Sequence, residues 1–411
     1  MLSGLLHPFR GLNLLWVLGR EGATDVALTL TPKGSFPATM LGLLSTLKSA
    51  RAKKRGAGVN LAQALKRLGP TYIKLGQILS TRADLIGDQA ALDLSALQDQ
   101  LDPFSDAQAR SILEDALGRP IDPVFSEFGA PVSAASVAQV HFGRLQTGED
   151  VAVKILRPGI EKRFDRELRF LQWGARWAQR VVPDLRRAQP VGLIEVLRQQ
   201  TALELALRMA AAAGDQMARN FKERGGLSTP TPFWDLTSQR VLVMSRIYGI
   251  NIDERDKLRA AGHDLAQVLT NAATCFFQAV FDDGFFHGDQ HAGNMFIDAR
   301  GDVVFVDFGI VGRLDWKGRV FLADLMAHLL EGDYDGLAKR YTEEGYLPAT
   351  ASTQAFALAL RSVAEPIVNQ PLERVSFARL LEPTVKAVFA SFGLRSLYPS
   401  HVLSEGGNSI G

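Results

Sequence analysis

Residues 287–294 read His287-Gly288-Asp289-Gln290-His291-Ala292-Gly293-Asn294, and residues 303–309 read Val303-Val304-Phe305-Val306-Asp307-Phe308-Gly309. Asp289 and Asn294 stand five apart, and Asp307 follows an apolar, β-branched stretch that reads as a strand. Oxygen ligands suit Mg²⁺, a hard cation held through one or two carboxylates together with phosphate and water. Asn294 and Asp307 are therefore candidate metal ligands, and Asp289 is the candidate catalytic carboxylate beside a phosphoryl acceptor. An Asp-Phe-Gly alone arises by chance. One preceded by an Asp–Asn pair and a strand does not.

This is the spacing of a protein-kinase catalytic core, which also requires a lysine on a strand far upstream. Val151-Ala152-Val153-Lys154-Ile155 supplies it: apolar residues alternate around a single ammonium, which is expected to meet the α- and β-phosphates of ATP. A dozen or so residues earlier, where a protein kinase carries Gly-x-Gly-x-x-Gly, lies a run of small residues, with Ala134, Ala135, Ser136, Val137 and Ala138 as candidate phosphate contacts. Small side chains still let backbone N–H groups approach phosphate, but alanine forbids the φ > 0 conformations that glycine permits. The loop should be stiffer than a glycine loop. Arg240 to Ile247 reads as the strand leading into the hinge, with main-chain groups near Met244 and Arg246 facing adenine. The spacing of Phe276, Phe277, Val280, Phe281, Phe285 and Phe286 reads as helix core.

At 411 residues the chain should form two or more lobes with ample core, and its net charge of +2 implies no nucleic-acid partner. The single cysteine, Cys275, excludes internal disulfides and Cys-based zinc clusters and fits a reducing compartment. Leu12 to Leu18 is far shorter than the ~20 residues of a membrane span and lacks the features of a signal peptide. The basic run from Lys48 to Arg55 reads first as a boundary. Its second reading is attraction to an anionic membrane surface, worth ~1 kcal/mol per basic residue. From Asn60 to Gln100 the periodicity is helical, with a new helix opening at Pro70. This block holds Lys74-Leu75-Gly76-Gln77 amid apolar residues, a polar tip aimed at a partner surface.

Together these blocks resemble the UbiB/ADCK family of atypical, protein-kinase-like proteins linked to ubiquinone (coenzyme Q) biosynthesis, over roughly residues 60–390. The match is most specific at Lys74-Leu75-Gly76-Gln77, at Ala134 to Val140, at Lys154, at His287 to Asn294 and at Asp307-Phe308-Gly309. The resemblance implies an α+β, two-lobed protein-kinase-like fold that binds ATP and Mg²⁺, with the added N-terminal helical block lying across the cleft. Protein phosphorylation in trans is then poorly supported. ATPase activity tied to ubiquinone-biosynthesis proteins or isoprenoid lipid is the implied role, at the cytoplasmic face of the inner membrane and without a membrane span. Nothing resembles a flavin, haem or non-haem iron site, so the family's older hydroxylase name reads as pathway membership. The corresponding division is an N-terminal segment and basic linker (1–58), the Lys-x-Gly-Gln extension (59–128), a small lobe (129–250), a helical lobe (251–395) and a tail (396–411).

Three departures accompany the resemblance. Glu204 keeps the first acid of the family's Glu-x-Asp, but Ala206 replaces the Asp. Ala210 stands where the partner of the strand lysine is expected, removing an ion pair that orients Lys154. Glu167, thirteen residues after Lys154, is the replacement to consider. Glu204 itself should pair with Lys74, because a buried ammonium needs a charge partner. Thirdly, family members commonly close with two hydrophobic helices, whereas this chain ends in Leu394-Arg395-Ser396-Leu397-Tyr398-Pro399 and a polar, Gly-rich tail, which reads as a shortened or frameshifted end. Three other readings stand beside the family one. A small-molecule phosphotransferase of the aminoglycoside or choline type shares the His-Gly-Asp-x-His-x-Gly-Asn loop. A metal hydrolase would use His287, Asp289 and His291 but lacks a further ligand at a motif spacing. A non-enzymatic pseudokinase would bind nucleotide and lipid without turnover, consistent with Ala206 and Ala210.

Overall fold

A computed structural model describes residues 7–29, 31, 36–95, 101–181, 189–347 and 350–368; the segment after Pro399, the closing Leu394–Pro399 stretch and Gln100 lie outside them. The chain divides into two compact units, Met1–Ala212 with Thr231–Arg246, and Ala213–Pro230 with Ile247–Gly411.

The first unit opens with α1 (His7–Glu21), α2 (Thr24–Thr29), α3 (Phe36–Ser45), α4 (Ala57–Leu68), α5 (Pro70–Ser80), α6 (Ala83–Ile86) and α7 (Asp88–Ser95). Pro70 occupies the first turn of α5, where its missing N–H costs nothing. Val17 and Val26 share one buried cluster with Leu65, Leu68, Ile73 and Leu94. The helices on either side of the basic run therefore share one core. Ala52 is fully buried, its carbonyl accepts from Asn60 Nδ2 at 3.0 Å, and Lys48 reaches Asp25.

After α8 (Asp106–Leu117), capped by the Ser105 hydroxyl, the chain forms β1 (Phe125–Ala134), β2 (Ala138–Leu145) and β3 (Asp150–Leu156). Helices α9 (Ile160–Val181), α10 (Pro190–Leu205) and α11 (Leu207–Phe221) follow, then β4 (Leu227–Ser228), which belongs to the second unit, and β5 (Val241–Ser245). The antiparallel sheet runs β1-β2-β3-β5, with Lys154 opposite Leu242 on one side and Val140 on the other. Strand periodicity sorts β3 by face. Val151, Val153 and Ile155 join a cluster with Leu113, Phe125 and Val243, while Leu156, two positions from Lys154, packs with Phe164, Leu197 and Leu242.

A stretch of non-repetitive backbone, residues 101–105, is bound to this sheet by side chains. Gln139 Oε1 accepts from Phe104 N at 3.0 Å, and Gln139 Nε2 lies 2.8 Å from His141 Nε2. His141 Nδ1 donates to Gly129 O at 2.8 Å, which leaves Nε2 as the acceptor for Gln139. Both side chains are fully buried.

In the second unit β4 pairs in parallel with β9 (Val303–Phe305), which continues antiparallel through β8 (Met295–Ile297) to β6 (Ile250–Asn251). A separate two-stranded ladder joins β7 (Phe285–His287) to β10 (Val311–Arg313). The helices are α12 (Arg255–Ala260), α13 (Leu265–Phe277), α14 (Trp316–Glu331), α15 (Tyr334–Glu343) and α16 (Thr353–Val368). A π-helical turn, Gln278–Asp283, leads from α13 towards β7. Phe321, Leu325, Leu337, Tyr341 and Phe356 unite α14 to α16. No helix among the described residues is long and apolar enough to cross a membrane.

Gln139→Leu should destabilise the first unit by about 1–3 kcal/mol, because it strands the buried Phe104 N–H and His141 Nε2 without replacing their partners. Urea unfolding measures this. An unchanged midpoint would remove the network from the account.

Candidate functional site

Within the second unit the backbone brings Asp289, Asn294 and Asp307 into one hydrogen-bonded assembly centred on His287. Its Nδ1 accepts from Asp289 N at 3.1 Å, so the ring proton resides on Nε2, which faces Val306 O and Asp307 O, both at 3.1 Å. The imidazole stacks on Phe305 and meets Phe308 edge-on. Burial holds its pKa below the ordinary histidine value, against the raising influence of the Val306 carbonyl and nearby Asp289 and Asp307. His287 is thus a neutral brace between the loop and the strand preceding Asp307, as its position in a kinase-like loop suggests.

Asn294 is buried, and its Nδ2 donates to Asp289 O at 3.1 Å. Its carbonyl oxygen is consequently the atom left for a cation. Its own backbone carbonyl accepts Val306 N at 3.0 Å, so the loop is laced to the strand at a second point. Asp307 is exposed and holds φ of 60°, one of two non-glycine residues in the left-handed region among the described residues. Such a conformation costs on the order of 1–3 kcal/mol and persists only when the surroundings impose it. Here Nε2 of His287 fixes the Asp307 carbonyl.

The two glycines of the loop let neighbouring groups approach closely. A Cβ on Gly288 would stand 2.8 Å from Ile310 Cγ2, and one on Gly293 would stand 2.8 Å from the His291 ring. Asp289 keeps a side chain 48% exposed, with His291 Nε2 3.7 Å from its Oδ2. Two hard oxygen donors and a second, accessible carboxylate suit a hard divalent cation such as Mg²⁺. A zinc-type cluster of three or more His, Cys, Asp or Glu does not occur among the described residues.

The first unit carries the remaining candidates. Lys154 is half-buried on β3. In the loop between β1 and β2, Ala135 N donates to Ala138 O at 2.8 Å, while Ala134 O accepts from Leu101 N and Ala135 O from Arg157 Nε. Ser136, Val137 and Ala138 are buried, and Ser136 Oγ has no partner. Met244 lies opposite Ala152, and Arg246 N donates to Asp150 O at 3.0 Å with its guanidinium 3.9 Å from the Phe142 ring centroid. Lys74 Nζ stands 2.9 Å from Glu204 Oε2, with both side chains more than four-fifths buried, and Gln77 lies half-buried on the next turn of α5.

Ala206 ends α10, and Ala210 is buried in α11, so no carboxylate stands at either position. Glu167, considered above as a replacement partner for Lys154, instead accepts from Arg163 Nε at 3.0 Å. Arg157, which no sequence motif singles out, grips the phosphate-loop candidate through Nε and residue 102 through Nη1 at 3.0 Å. No motif gives Gln139 or His141 a role either. Their signal was available: two polar residues two apart on a strand, a spacing that puts both on one face.

His141 and His287 should titrate below the ordinary value of ~6.5, since burial lowers both. The folded state then resists protons that the unfolded state accepts. Their contribution is complete above ~6.5 and declines as pH falls from there towards the folded values. NMR of the ring protons with pH-dependent thermal unfolding checks this; two rings titrating at or above the free value would contradict it. Glu204→Gln should cost about 1–3 kcal/mol, less than the ~3–5 of a fully buried pair broken on one side, and Lys74→Met with Glu204→Leu should recover most of it. Equal stability of Glu204→Gln and wild type would show that the pair contributes nothing.

The sequence profile of the ABC1 atypical kinase-like domain matches residues 96–341. A protein of Azotobacter vinelandii named Probable protein kinase UbiB is 38% identical over 336 residues, covering 80% of this chain; the chain spans 63% of the length of that relative. Among solved structures, Rv3197 of Mycobacterium tuberculosis in complex with erythromycin matches 77% of this chain and 86% of its own at 23% identity, with a TM-score of 0.49. The Rio2 kinase of Chaetomium thermophilum in its ADP/Mg²⁺-phosphoaspartate complex matches 80% and 98% at 13% identity, with a TM-score of 0.29. Membership rests on the profile, which spans both the sheet that carries Lys154 and the loop and strand that carry Asp289, Asn294 and Asp307. The fold is α+β and kinase-like, and the chain belongs to the ABC1 atypical kinase-like, or UbiB, family.

Proposed function

We propose that the chain is a Mg-ATP-binding atypical kinase or ATPase that supports ubiquinone biosynthesis, with little or no phosphorylation of proteins in trans. The observation that carries this is the assembly around Asp307. An aspartate is held at positive φ by a neutral histidine, while the buried Asn294 turns its oxygen outward and Asp289 remains accessible. Strain of this kind is retained where a side chain must be presented in one direction. In this reading Asn294 and Asp307 hold Mg²⁺, which neutralises charge on the nucleotide phosphates. Asp289 positions the acceptor or water, and Lys154 and the loop Ala134, Ala135, Ser136, Val137 and Ala138 receive the phosphates. The main chain near Met244 and Arg246 receives adenine.

The Lys74–Glu204 pair, with Gln77, would fix the Lys-x-Gly-Gln helix over the cleft between lobes and regulate access. The division at 1–58, 59–128, 129–250, 251–395 and 396–411 belongs to the same reading. So do partnership with ubiquinone-biosynthesis proteins or isoprenoid lipid, and peripheral attachment at the cytoplasmic side of the inner membrane. A second reading, a nucleotide-responsive pseudokinase, is favoured by one observation: Ala206 and Ala210 leave no acid where the lysine's partner is expected.

Three variants separate these. Asp307→Gly relieves the positive φ, so its unliganded stability should equal or exceed wild type by about 1 kcal/mol while stabilisation by Mg-ATP disappears. Lys154→Ala should weaken the same thermal shift, since charge-assisted phosphate contacts are the strong ones. Asp289→Asn should keep the shift and lose ~10²–10⁴-fold in phosphate release. Binding by wild type without turnover would establish the pseudokinase. A full Mg-ATP shift in Asp307→Gly would show the site to be misassigned.

A further inference from the structure

Helix α9 buries one face and turns a chemically unusual one outward. Phe164 and Leu168 are buried with Ile194 and Leu197 of α10, and Leu171 and Ala175 pack on the same cluster. On the opposite side, at three- and four-residue spacing, stand Arg169, Trp173, Arg176, Trp177, Arg180 and Val181. All six are exposed. Trp173 and Trp177 keep 50% and 55% of their surface and Val181 44%, where a soluble fold usually buries most of a tryptophan. The Phe170 ring beneath them is buried and stacks on Trp173, with centroids 6.1 Å apart.

Charge is divided along the helix. Its carboxylates, Glu161, Asp165 and Glu167, lie in the first half, and each meets an arginine: Arg240, Arg169 and Arg163. From Leu168 to Val181 there is no acid, and Arg169, Arg176 and Arg180 are the charged residues. Among the described residues Arg176 and Arg180 make no ion pair. An occupant must therefore accept indole rings and guanidiniums side by side. A second copy of the chain would repeat the same patch across a two-fold axis, gathering arginines from both sides with no acid from this stretch to meet them. A phospholipid surface answers both groups. Indole rings settle at headgroup depth, guanidiniums match phosphate oxygens, and anionic lipid adds long-range attraction. The basic run Lys48 to Arg55 is less suited: it holds no large apolar side chain, and Lys48 and Arg55 are already paired with acids.

We propose that the outer face of α9 docks on an anionic phospholipid surface, with Trp173 and Trp177 entering the headgroup layer and Arg176 and Arg180 meeting lipid phosphates. This rests on the membrane attachment in the function proposed above and assigns that attachment a surface.

Co-flotation of the full chain with phosphatidylcholine vesicles, with and without phosphatidylglycerol, tests it. Binding should be about tenfold or more tighter with phosphatidylglycerol present and should fall as salt rises. Trp177→Ala should weaken binding to the mixed vesicles about tenfold or more, while Trp177→Phe, which keeps an aromatic ring, should stay near wild type. Arg176→Gln with Arg180→Gln should remove the preference for anionic lipid. Lys53→Gln with Lys54→Gln, on the basic run, should bind as wild type does. Should Trp177→Ala fail to fold, brominated lipid in the vesicles should quench the tryptophan fluorescence of wild type more than that of Trp177→Phe. Wild type that floats with neither vesicle would overturn this surface and the attachment together. Wild type that floats while the Trp177→Ala and double arginine variants float equally well would overturn this surface alone. Concentration-dependent dimers that Trp177→Ala dissociates, without vesicle binding, would give the face to a second copy and overturn the proposal.

Discussion

The imidazole of His287 has two ring nitrogens, and both are committed to backbone. One accepts the Asp289 amide, and the other faces the carbonyls of Val306 and Asp307. Only a neutral ring with its proton on Nε2 can do this, and the aromatic rings of Phe305 and Phe308 keep it in the buried setting that favours neutrality. Asn294 reinforces the same junction through its side-chain amide and its backbone carbonyl. The loop bearing Asp289 and the strand ending at Asp307 are therefore one construction. The positive φ of Asp307 is tolerable because its carbonyl already has a fixed donor.

This junction was legible in the sequence because its chemistry is concentrated. Eight residues from His287 to Asn294 and seven from Val303 to Gly309 hold the donors, the acceptors and the small residues that let them approach. Gly288 and Gly293 belong to the motif for steric reasons that the structure makes explicit, since a Cβ at either would collide with Ile310 or His291. Lys154 was legible for a different reason. A lone cation between alternating apolar residues has one strand face to occupy, and the β2-β3-β5 register bears that out. The Lys74–Glu204 contact joins residues far apart in the chain; the family resemblance singles out Glu204, and the need of a buried ammonium for a partner pairs it with Lys74.

What escaped the sequence depends on pairing between segments whose approach no local pattern encodes. Lys48 to Arg55 looks like a solvated boundary because a string of cations usually is one. Yet Ala52 is buried, the helices on either side share a core, and two of the run's cations, Lys48 and Arg55, meet Asp25 and Glu21 on the preceding helices, while Arg51, Lys53 and Lys54 stay exposed. Glu167 is similar. Its distance in sequence from Lys154 suggested a substitute partner, but on α9 the guanidinium one turn back is closer. A helix presents its i−4 neighbour before any residue on a strand.

Residues 101–105 reach the sheet through unlike bonds: Leu101 amide to the Ala134 carbonyl, Phe104 amide and carbonyl to the Gln139 carboxamide, and the Asp102 carbonyl to Arg157. Arg157 also holds Ala135. One guanidinium thus joins the turn between β1 and β2 to the chain that arrives from the N-terminal helices. Linkage between two ends of such a tether is reciprocal in free energy. Whatever tightens the turn must, to the same extent, tighten the arriving chain, and whatever loosens that chain must weaken what the turn holds.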